Sequence, residues 1–424
     1  MKNILILGGG FGGIKAALEL HKKVGRHGDV KITLIDRENY QTFTPLLYEI
    51  ASAYGITHHD PYHTKLRGTV SIPYGHIFKN KKVNLIQAEI SKIDIQNHKV
   101  STRGEEVFDF DYLVIALGSE VSTFGIPGVS EYAYKFKTTN HALMIYDKVE
   151  EIYEEGGKGV RELPIKFVIG GAGFAGIEIA AELAMCTAHA SHKHKVIWPA
   201  CTSIVLAEAG PKILPMVSDN ERKTIETRLK NLGVLLMENT AIEEVGPDWV
   251  KFKSGDRLNT DMTVWTAGVQ ATELITSSPE LELNSRQRIL VNEFLQANRH
   301  NNVFAIGDNI EFIDPANNKP IPQMAYLAAD QARVVADNIV RLMAGEQNLD
   351  NRNTVLKRYK PYYDLWVAPV GRKYAFAHIG KFKLKGLMGY LAREVVDLKY
   401  YLSILPLFDA LRLFKKEVEI LVRN

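Results

Sequence analysis

The chain of 424 residues has little cysteine, little net charge and no long apolar run. Its two cysteines, Cys186 and Cys201, cannot build a disulfide framework. The formal net charge of +3 is too small to indicate a nucleic-acid-binding protein. No uninterrupted apolar stretch approaches the roughly 20 residues of a membrane-spanning helix, because Ser403 and Pro406 interrupt even residues 400–408. What remains is a globular chain, and its length indicates two or three domains.

A strand, a glycine-rich turn, a helix and a second strand follow one another at the start of the chain, and the same order returns further on. The strands are short apolar runs, and the helices carry apolar residues at helical spacing. The predicted elements are 4–7, 11–24 and 30–35 in the first copy, and 165–169, 177–184 and 203–206 in the second. This duplication predicts an α/β fold with two Rossmann-like dinucleotide-binding domains.

Both copies contain the spacing G-x-G-x-x-G between strand and helix, as Gly8, Gly10 and Gly13 and as Gly171, Gly173 and Gly176. The first glycine permits the tight turn, the second lets backbone N–H groups reach a pyrophosphate, and the third lets helix and strand pack closely. Glycine-rich turns also occur without a ligand. Two copies in the same context argue against that alternative.

An acidic residue ends the second strand of each copy, Asp36 in the first and Glu208 in the second. A carboxylate at this place accepts hydrogen bonds from ribose hydroxyls and repels the 2′-phosphate of NADP, so NADH is favoured over NADPH. Two sites need two occupants, and a hydride reductase usually holds a flavin in one of them. The N-terminal copy is the predicted flavin site. Gly307-Asp308 supports this if the Asp bonds polyol hydroxyls, although an ordinary turn is the alternative.

Seven motifs are spread along the chain: GGGFGG at 8–13, NYQTFTPLLYEIA at 39–51, DYLVIALGS at 111–119, VIGGAGFAGIEIAAELA at 168–184, VLAEAGPKILP at 205–215, VWTAGV at 264–269 and NVFAIGD at 302–308. Together they resemble the type II NADH dehydrogenases, the single-subunit NADH:quinone oxidoreductases. The fingerprints and the GD pair are shared with the wider group of disulfide-reductase-like flavoproteins. The PLLYEIA run and the C-terminal tail are more specific to this family and its sulfide:quinone relatives.

The resemblance implies hydride transfer from NADH to bound FAD, followed by transfer of two electrons to a membrane quinone without proton pumping. It places around FAD the residues Gly8, Gly10, Gly13, Asp36, Gly118, Asp308 and Ala325, and around NADH the residues Gly171, Gly173, Gly176, Glu208 and Gly268. Glu178 matches the family's glutamate beside the two rings and is the expected proton source. The alternative is a carboxylate that complements the helix dipole.

The resemblance also divides the chain. Residues 1–120 and 295–365 form the expected FAD domain, 121–294 the inserted NADH domain, and 366–424 a membrane-association region. One departure concerns residues 325–332, where the family commonly has A-Q-x-A-x-Q-Q-G. Tyr326 and Asp330 replace two of the glutamines, and both are further candidates for the proton source. A sulfide:quinone oxidoreductase-like flavoprotein and a flavin-binding NADH sensor with little turnover are the alternative functions.

The tail from residue 381 onward holds nine basic and five acidic residues. Its apolar residues follow helical spacing, with tyrosines at the border: Leu384, Leu387, Met388, Leu391, Val395, Leu398, Leu402, then Leu407, Leu411 and Phe414, with Tyr390, Tyr400 and Tyr401. This composition is typical of a helix in a membrane interface with anionic lipid. A core helix or a homodimer interface is the alternative. The expected location is peripheral, on the cytoplasmic face of the cell membrane.

Cysteine and histidine residues between 186 and 201 invite a zinc interpretation. Their spacing does not repeat a paired zinc knuckle, so no metal site is predicted.

Overall fold

The computed structural model describes residues 1–25, 28–53, 61–193, 202–347 and 356–423. Strands up to residue 121 are β1 Lys2–Leu7, β2 Val30–Asp36, β3 Tyr40–Thr42, β4 Ser71–Pro73, β5 Asn84–Gln87, β6 Ile90–Asp94, β7 Lys99–Thr102, β8 Val107–Asp109, β9 Tyr112–Ile115 and β10 Glu120–Val121. The next group is β11 Tyr134–Lys135, β12 Ile165–Gly170, β13 Thr202–Ala207, β14 Val234–Met237, β15 Ile242–Val245, β16 Trp249–Phe252, β17 Arg257–Asn259, β18 Met262–Trp265, β19 Val269–Gln270 and β20 Ile289–Leu290. The last group is β21 Val303–Ala305, β22 Ile310–Glu311, β23 Ile313–Asp314, β24 Lys319–Pro320, β25 Leu365–Pro369, β26 Ala375–Ile379 and β27 Phe382–Gly386.

The helices lie between these strands and at the C-terminal end. They are α1 Phe11–Val24, α2 Leu47–Ala51, α3 Pro61–Val70, α4 Tyr74–Ile77, α5 Val129–Tyr132, α6 Thr139–Gly157, α7 Phe174–Lys193, α8 Asp219–Asn231, α9 Glu273–Thr276, α10 Ala325–Gln347, α11 Leu387–Ile404 and α12 Leu407–Arg423. Two short 3-10 helices, Thr44–Leu46 and Gly307–Asn309, complete the set.

Two parallel five-stranded sheets confirm the predicted α/β fold. The first has the order β21-β9-β1-β2-β5 and the second the order β11-β18-β12-β13-β14. In each sheet the strand before the glycine-rich turn is central, and its apolar run is buried. In the second sheet, Val168 and Val205 pack against Ile242 and Phe252 of the antiparallel strands β15 and β16. β21 pairs with β9, so the chain returns to the first sheet after forming the second.

The duplication extends beyond the βαβ units. An antiparallel three-stranded sheet, β6-β7-β8, precedes β9 in the first half, and β15-β16-β17 precedes β18 in the second. The strands of these two sheets are short and half exposed, and the sequence pattern did not predict the sheets.

The C-terminal part differs from the prediction in two respects. A three-stranded antiparallel sheet, β25-β26-β27, precedes the tail helices, and Leu384, assigned to the helical stripe, pairs with Ala377 in that sheet. The helical tail then divides at Pro406 into α11 and α12, since proline has no backbone N–H and clashes with the preceding turn.

The tail helices bury one face and expose the other. The exposed apolar residues are Leu387, Met388, Leu391, Val395, Leu402, Leu407, Phe408 and Leu411. The prediction that the tyrosines border a membrane is wrong for the buried Tyr390 and Tyr401, and Tyr400 stacks on Phe43 with ring centroids 5.4 Å apart. These large rings gain more by packing against the body of the protein. Within the described residues, no helix has the length and apolar character needed to cross a bilayer.

Candidate active site

The first glycine-rich turn joins β1 to α1, and each glycine has its own steric reason. Gly8 has a φ of +95°, which side chains rarely adopt. A Cβ atom on Gly13 would lie 1.8 Å from the carbonyl oxygen of Gly8, so helix and strand can approach only without it. A Cβ on Gly10 would meet nothing within 4 Å. The space beside Gly10 is therefore open for a ligand.

Asp36 lies at the end of β2 and is held against this turn. Its Oδ2 accepts a hydrogen bond from the backbone N–H of Gly9 at 2.5 Å, and its Oδ1 accepts one from Glu38 at 2.7 Å. Burial raises the pKa of Asp36, and the hydrogen bonds from Gly9 and Glu38 oppose that rise. The carboxylate is thus oriented beside the place where a pyrophosphate would approach.

The second turn, between β12 and α7, repeats this geometry. Gly171 has a φ of +97°, a Cβ on Gly176 would lie 1.9 Å from the carbonyl oxygen of Gly171, and a Cβ on Gly173 would meet nothing within 4 Å. Glu208 takes the part of Asp36, because its Oε2 accepts a hydrogen bond from the N–H of Ala172 at 2.8 Å. The two turns are therefore equivalent in structure as well as in sequence.

Gly118 and Asp308 lie at the carboxyl end of the first sheet, the edge where α/β proteins bind ligands. The N–H of Gly118 donates to Asn309 at 3.0 Å, and Asp308 accepts a hydrogen bond from Ser119 at 2.9 Å. Lys137, which the sequence did not identify, lies 3.4 Å from the Asp308 carboxylate. The Asp308 side chain is thus held in place by Ser119 and Lys137, within the short 3-10 helix Gly307–Asn309.

Ala325 and Gly268 complete the predicted binding residues. Ala325 begins α10, whose first N–H groups have no partner within the helix and can face a ligand. Gly268 lies between β18 and β19, and a Cβ there would come within 2.7 Å of the Phe124 ring. The contact with Phe124 therefore explains why the residue at 268 is a glycine.

Glu178 lies on α7, beside a group of buried charges that the sequence did not reveal. Arg393 of α11 is at its centre, with Nη2 2.7 Å from Glu49 of α2 and Nη1 3.1 Å from Glu394. The guanidinium also lies 3.4 Å from Asp397 and 3.6 Å from Glu417 of α12. We call these five residues the Arg393 cluster. It joins two tail helices to α2 through side chains that are all less than a tenth exposed.

Carboxyl groups outnumber cations in this region, and the pKa values of the buried glutamates are raised. Burial raises the pKa of Glu178 to about 8 and that of Glu49 to about 7, while Arg393 opposes both shifts. Burial also raises the pKa of Glu182, one helical turn beyond Glu178, to about 7. Glu178 and Glu182 are half-buried in α7, so they keep an open side. A carboxyl group with a pKa near the working pH suits general acid chemistry.

Comparison with known proteins shows the family to which this chain belongs. Residues 2–332 match the family described as pyridine nucleotide-disulphide oxidoreductase. A type II NADH:quinone oxidoreductase of Staphylococcus aureus (strain NCTC 8325 / PS 47) is 32% identical over 357 residues, which cover 81% of this chain and 83% of that protein. The chain belongs to the type II NADH:quinone oxidoreductase family.

Solved structures share the fold. The NDH2 of Plasmodium falciparum, determined in complex with NADH, superposes with a TM-score of 0.82 at 20% identity, covering 99% of this chain and 98% of that chain. The sulfide:quinone oxidoreductase of Aquifex aeolicus superposes with a TM-score of 0.76 at 21% identity, covering 96% of this chain and 94% of that chain.

The family's glutamine positions hold Tyr326 and Asp330 on α10. The Tyr326 hydroxyl donates to the carbonyl oxygen of Tyr362 at 2.8 Å, and burial raises its pKa to about 12. Asp330 is half-buried, with 40% of its side chain exposed, and lies 3.5 Å from Arg333. Tyr326, with so high a pKa, and Asp330, which is paired with Arg333, are less suited than Glu178 to donate a proton. Their part in catalysis stays a prediction.

Several charged residues near Glu178 were missed because charged residues are normally exposed. Some signal was present. Glu178 and Glu182 are four residues apart, as are Arg393 and Asp397, so each pair shares a helix face. The unusual feature of Glu49 is an acid within the apolar run PLLYEIA.

Proposed function

We propose that this chain is an NADH:quinone oxidoreductase that binds FAD at the first glycine-rich turn and NADH at the second. The observation that carries the proposal is the pair of equivalent turns, each open at its second glycine and each bonded to its own acid. The residues at the first turn fit FAD. The open space at Gly10 admits a pyrophosphate, Asp36 accepts from ribose, and Asp308 accepts from a polyol chain.

The chain's own residues bind and orient the two ligands. The first N–H groups of α10, at Ala325, have no partner within the helix and face the flavin. Gly118 lies beside the flavin with its own N–H bonded to Asn309, and Gly268 lies beside the nicotinamide with the Phe124 ring against its backbone. Glu208 selects NADH over NADPH because its carboxylate would repel the 2′-phosphate of NADPH. When bound, FAD would supply the redox chemistry: it can accept a hydride from NADH and pass two electrons to the quinone.

Reduction of a quinone to a quinol takes up two electrons and two protons. The hydride of NADH supplies both electrons and one proton, so one further proton is needed. Glu178 holds that proton in this proposal. With a pKa of about 8 the carboxyl is mostly protonated at neutral pH, and its half-buried position leaves a side open to a substrate.

We also propose a peripheral location on the cytoplasmic membrane face. The exposed apolar residues of α11 and α12 support it, and so does the charge of the tail. Because three of its acidic residues are buried with Arg393, the exposed charges are mainly basic: Lys381, Lys383, Lys385, Lys399, Arg412, Lys415 and Lys416. Such a surface is attracted to an anionic leaflet. The alternative is that the same apolar face forms a homodimer interface.

The proposed domain bounds are 1–120 with 295–365 for FAD, 121–294 for NADH, and 366–424 for membrane association. The pairing of β21 with β9 supports the return of the chain to the first sheet before residue 365.

An anaerobic mixing experiment tests the function. NADH is added to the purified flavoprotein, and we expect the absorbance of oxidised flavin to bleach and a soluble quinone to restore it. A flavin that NADH cannot bleach would sink the proposal, and bleaching by sulfide alone would select the sulfide:quinone alternative. Bleaching without reoxidation by quinone would favour the NADH sensor. Gly173→Val should abolish bleaching, whereas Gly68→Val, also in open space, should not.

A further inference from the structure

A cleft of about 390 Å³ lies between α8 and the β26–β27 hairpin, away from both glycine-rich turns. One face of α8 supplies Asn220, Lys223, Arg228 and Asn231. These positions are spaced so that their side chains share one side of the helix. The hairpin region supplies Tyr374 and Lys385. The cleft is therefore built by two segments that are distant in the sequence.

The lining of this cleft contains three cations and no carboxylate. Within the described part of the chain, the side chains of Lys223, Lys385 and the two asparagines form no hydrogen bond or ion pair. The two threonines that also line it donate to helix carbonyl groups. Unpaired cationic and amide donors that converge without an acid match a ligand with several anionic oxygens.

Two of the three acids on α8 are already neutralised elsewhere. Glu221 accepts from Ser218, His378 and Lys383, and these bonds outweigh burial and lower its pKa to about 2. Asp219 is bound to Lys212 and Arg222. The third acid of α8, Glu226, is not among the residues that line the cleft, so no carboxylate of this helix lines it.

Arg228 is held in place before any ligand arrives. Its Nε donates to the carbonyl oxygen of Val370 at 3.2 Å, and its guanidinium lies 4.7 Å from the centre of the Tyr374 ring. Its Nη1 has no hydrogen-bond partner among the described residues. A fixed guanidinium loses little entropy when it binds an anion.

The cleft borders the exposed apolar surface of the tail. Lys385 is two residues before α11, which begins with Leu387 and Met388, exposed by 57% and 59%. Phe382, at the start of β27, is 71% exposed. In a bilayer, lipid phosphates lie just outside the apolar layer that such side chains enter.

We propose that the α8 cleft binds the phosphate of an anionic phospholipid. The proposal rests on the membrane association proposed above and adds a defined headgroup site outside the helical tail. A soluble phosphate compound would satisfy the same donors, but it would not account for the apolar residues beside them.

Vesicle flotation with the full flavoprotein tests the site. The variant is Lys223→Gln with Lys385→Gln. The control is Lys99→Gln with Lys253→Gln, which removes equal charge from two exposed lysines, one in β7 and one just after β16. On vesicles containing phosphatidylglycerol, we expect the cleft variant to bind roughly tenfold more weakly than the control, and the double Lys→Arg variant to recover. On phosphatidylcholine vesicles the difference should vanish. Flavin absorbance and thermal unfolding confirm that all variants are folded.

Each remaining outcome overturns a different statement. If the cleft variant binds anionic vesicles as well as the control does, the headgroup site is wrong while membrane association stands. If the unaltered protein floats with neither kind of vesicle, the proposed membrane association fails, and the site fails with it. If calorimetry shows that the unaltered protein binds inorganic phosphate, that the cleft variant does not, and that both bind vesicles equally, the occupant is a soluble phosphate.

Discussion

Replacing Arg393 by Met tests how far the buried charges hold the tail helices to the body. Arg393 is the cation that contacts all four carboxyl groups of its cluster, at 2.7 to 3.6 Å. Removing one partner of a buried ion pair destabilises a protein by about 3–5 kcal/mol, because the remaining charges stay buried. For a domain of this size that corresponds to a Tm lower by roughly 6–20 °C.

The pH dependence separates this mechanism from simple loss of packing. Burial raises the folded-state pKa of Glu49 to about 7, and also raises that of Asp397, while Arg393 limits both shifts. An acid whose pKa is raised in the folded state contributes stability that is complete below its unfolded pKa and is lost as the pH rises through the folded pKa. In Arg393→Met these values rise further. The Tm deficit should therefore be smallest near pH 5 and should grow towards pH 8.

Thermal unfolding of the flavoprotein in detergent from pH 5 to pH 8 measures the deficit. Arg412→Met, on the exposed side of α12, is the matched control and should change the Tm little. A deficit that is equal at every pH, or no larger than that of Arg412→Met, would refute the reasoning.

Three further predictions concern the ligand sites. Gly10→Val should fold but lose FAD, because its side chain enters the space left for the pyrophosphate; equal flavin content in Gly10→Val and Gly68→Val would contradict this. Glu178→Gln should keep flavin bleaching by NADH and slow quinone reduction, and the unaltered enzyme's quinone reductase rate should fall above about pH 8 as Glu178 loses its proton. A variant that retains that alkaline fall would exclude Glu178 as its origin. Glu208→Gln should raise the KM for NADH and lower the ratio of kcat/KM for NADH to kcat/KM for NADPH, as measured by steady-state kinetics. An unchanged ratio would argue against the role assigned to Glu208.

The glycine-rich turns could be predicted residue by residue because their geometry is local. Gly8, Gly10 and Gly13 lie within six residues, and the steric demand on each follows from that spacing. The partner acids followed from the position of the next parallel strand. The division of the tail at Pro406 is likewise a property of a single residue.

Burial of the charged and aromatic side chains of the tail could not be predicted in the same way. Helical spacing places Tyr401 and Arg393 on a helix, but whether their face meets solvent or protein depends on residues such as Phe43 and Glu49, more than 340 positions earlier in the chain. The α8 cleft could not be predicted for the same reason, since Lys385 and Arg228 line one cleft only when the hairpin packs on α8.

The sequence by itself determined the two dinucleotide folds, the residues of their turns and the amphipathic tail, since each depends on periodicity or on close spacing along the chain. Only the tertiary structure decided which charges of the tail are internal and which are exposed. Contacts between distant segments set the local dielectric and the partners of each group, and these determine whether Glu178 keeps its proton and whether Lys223 and Lys385 stay free for a ligand.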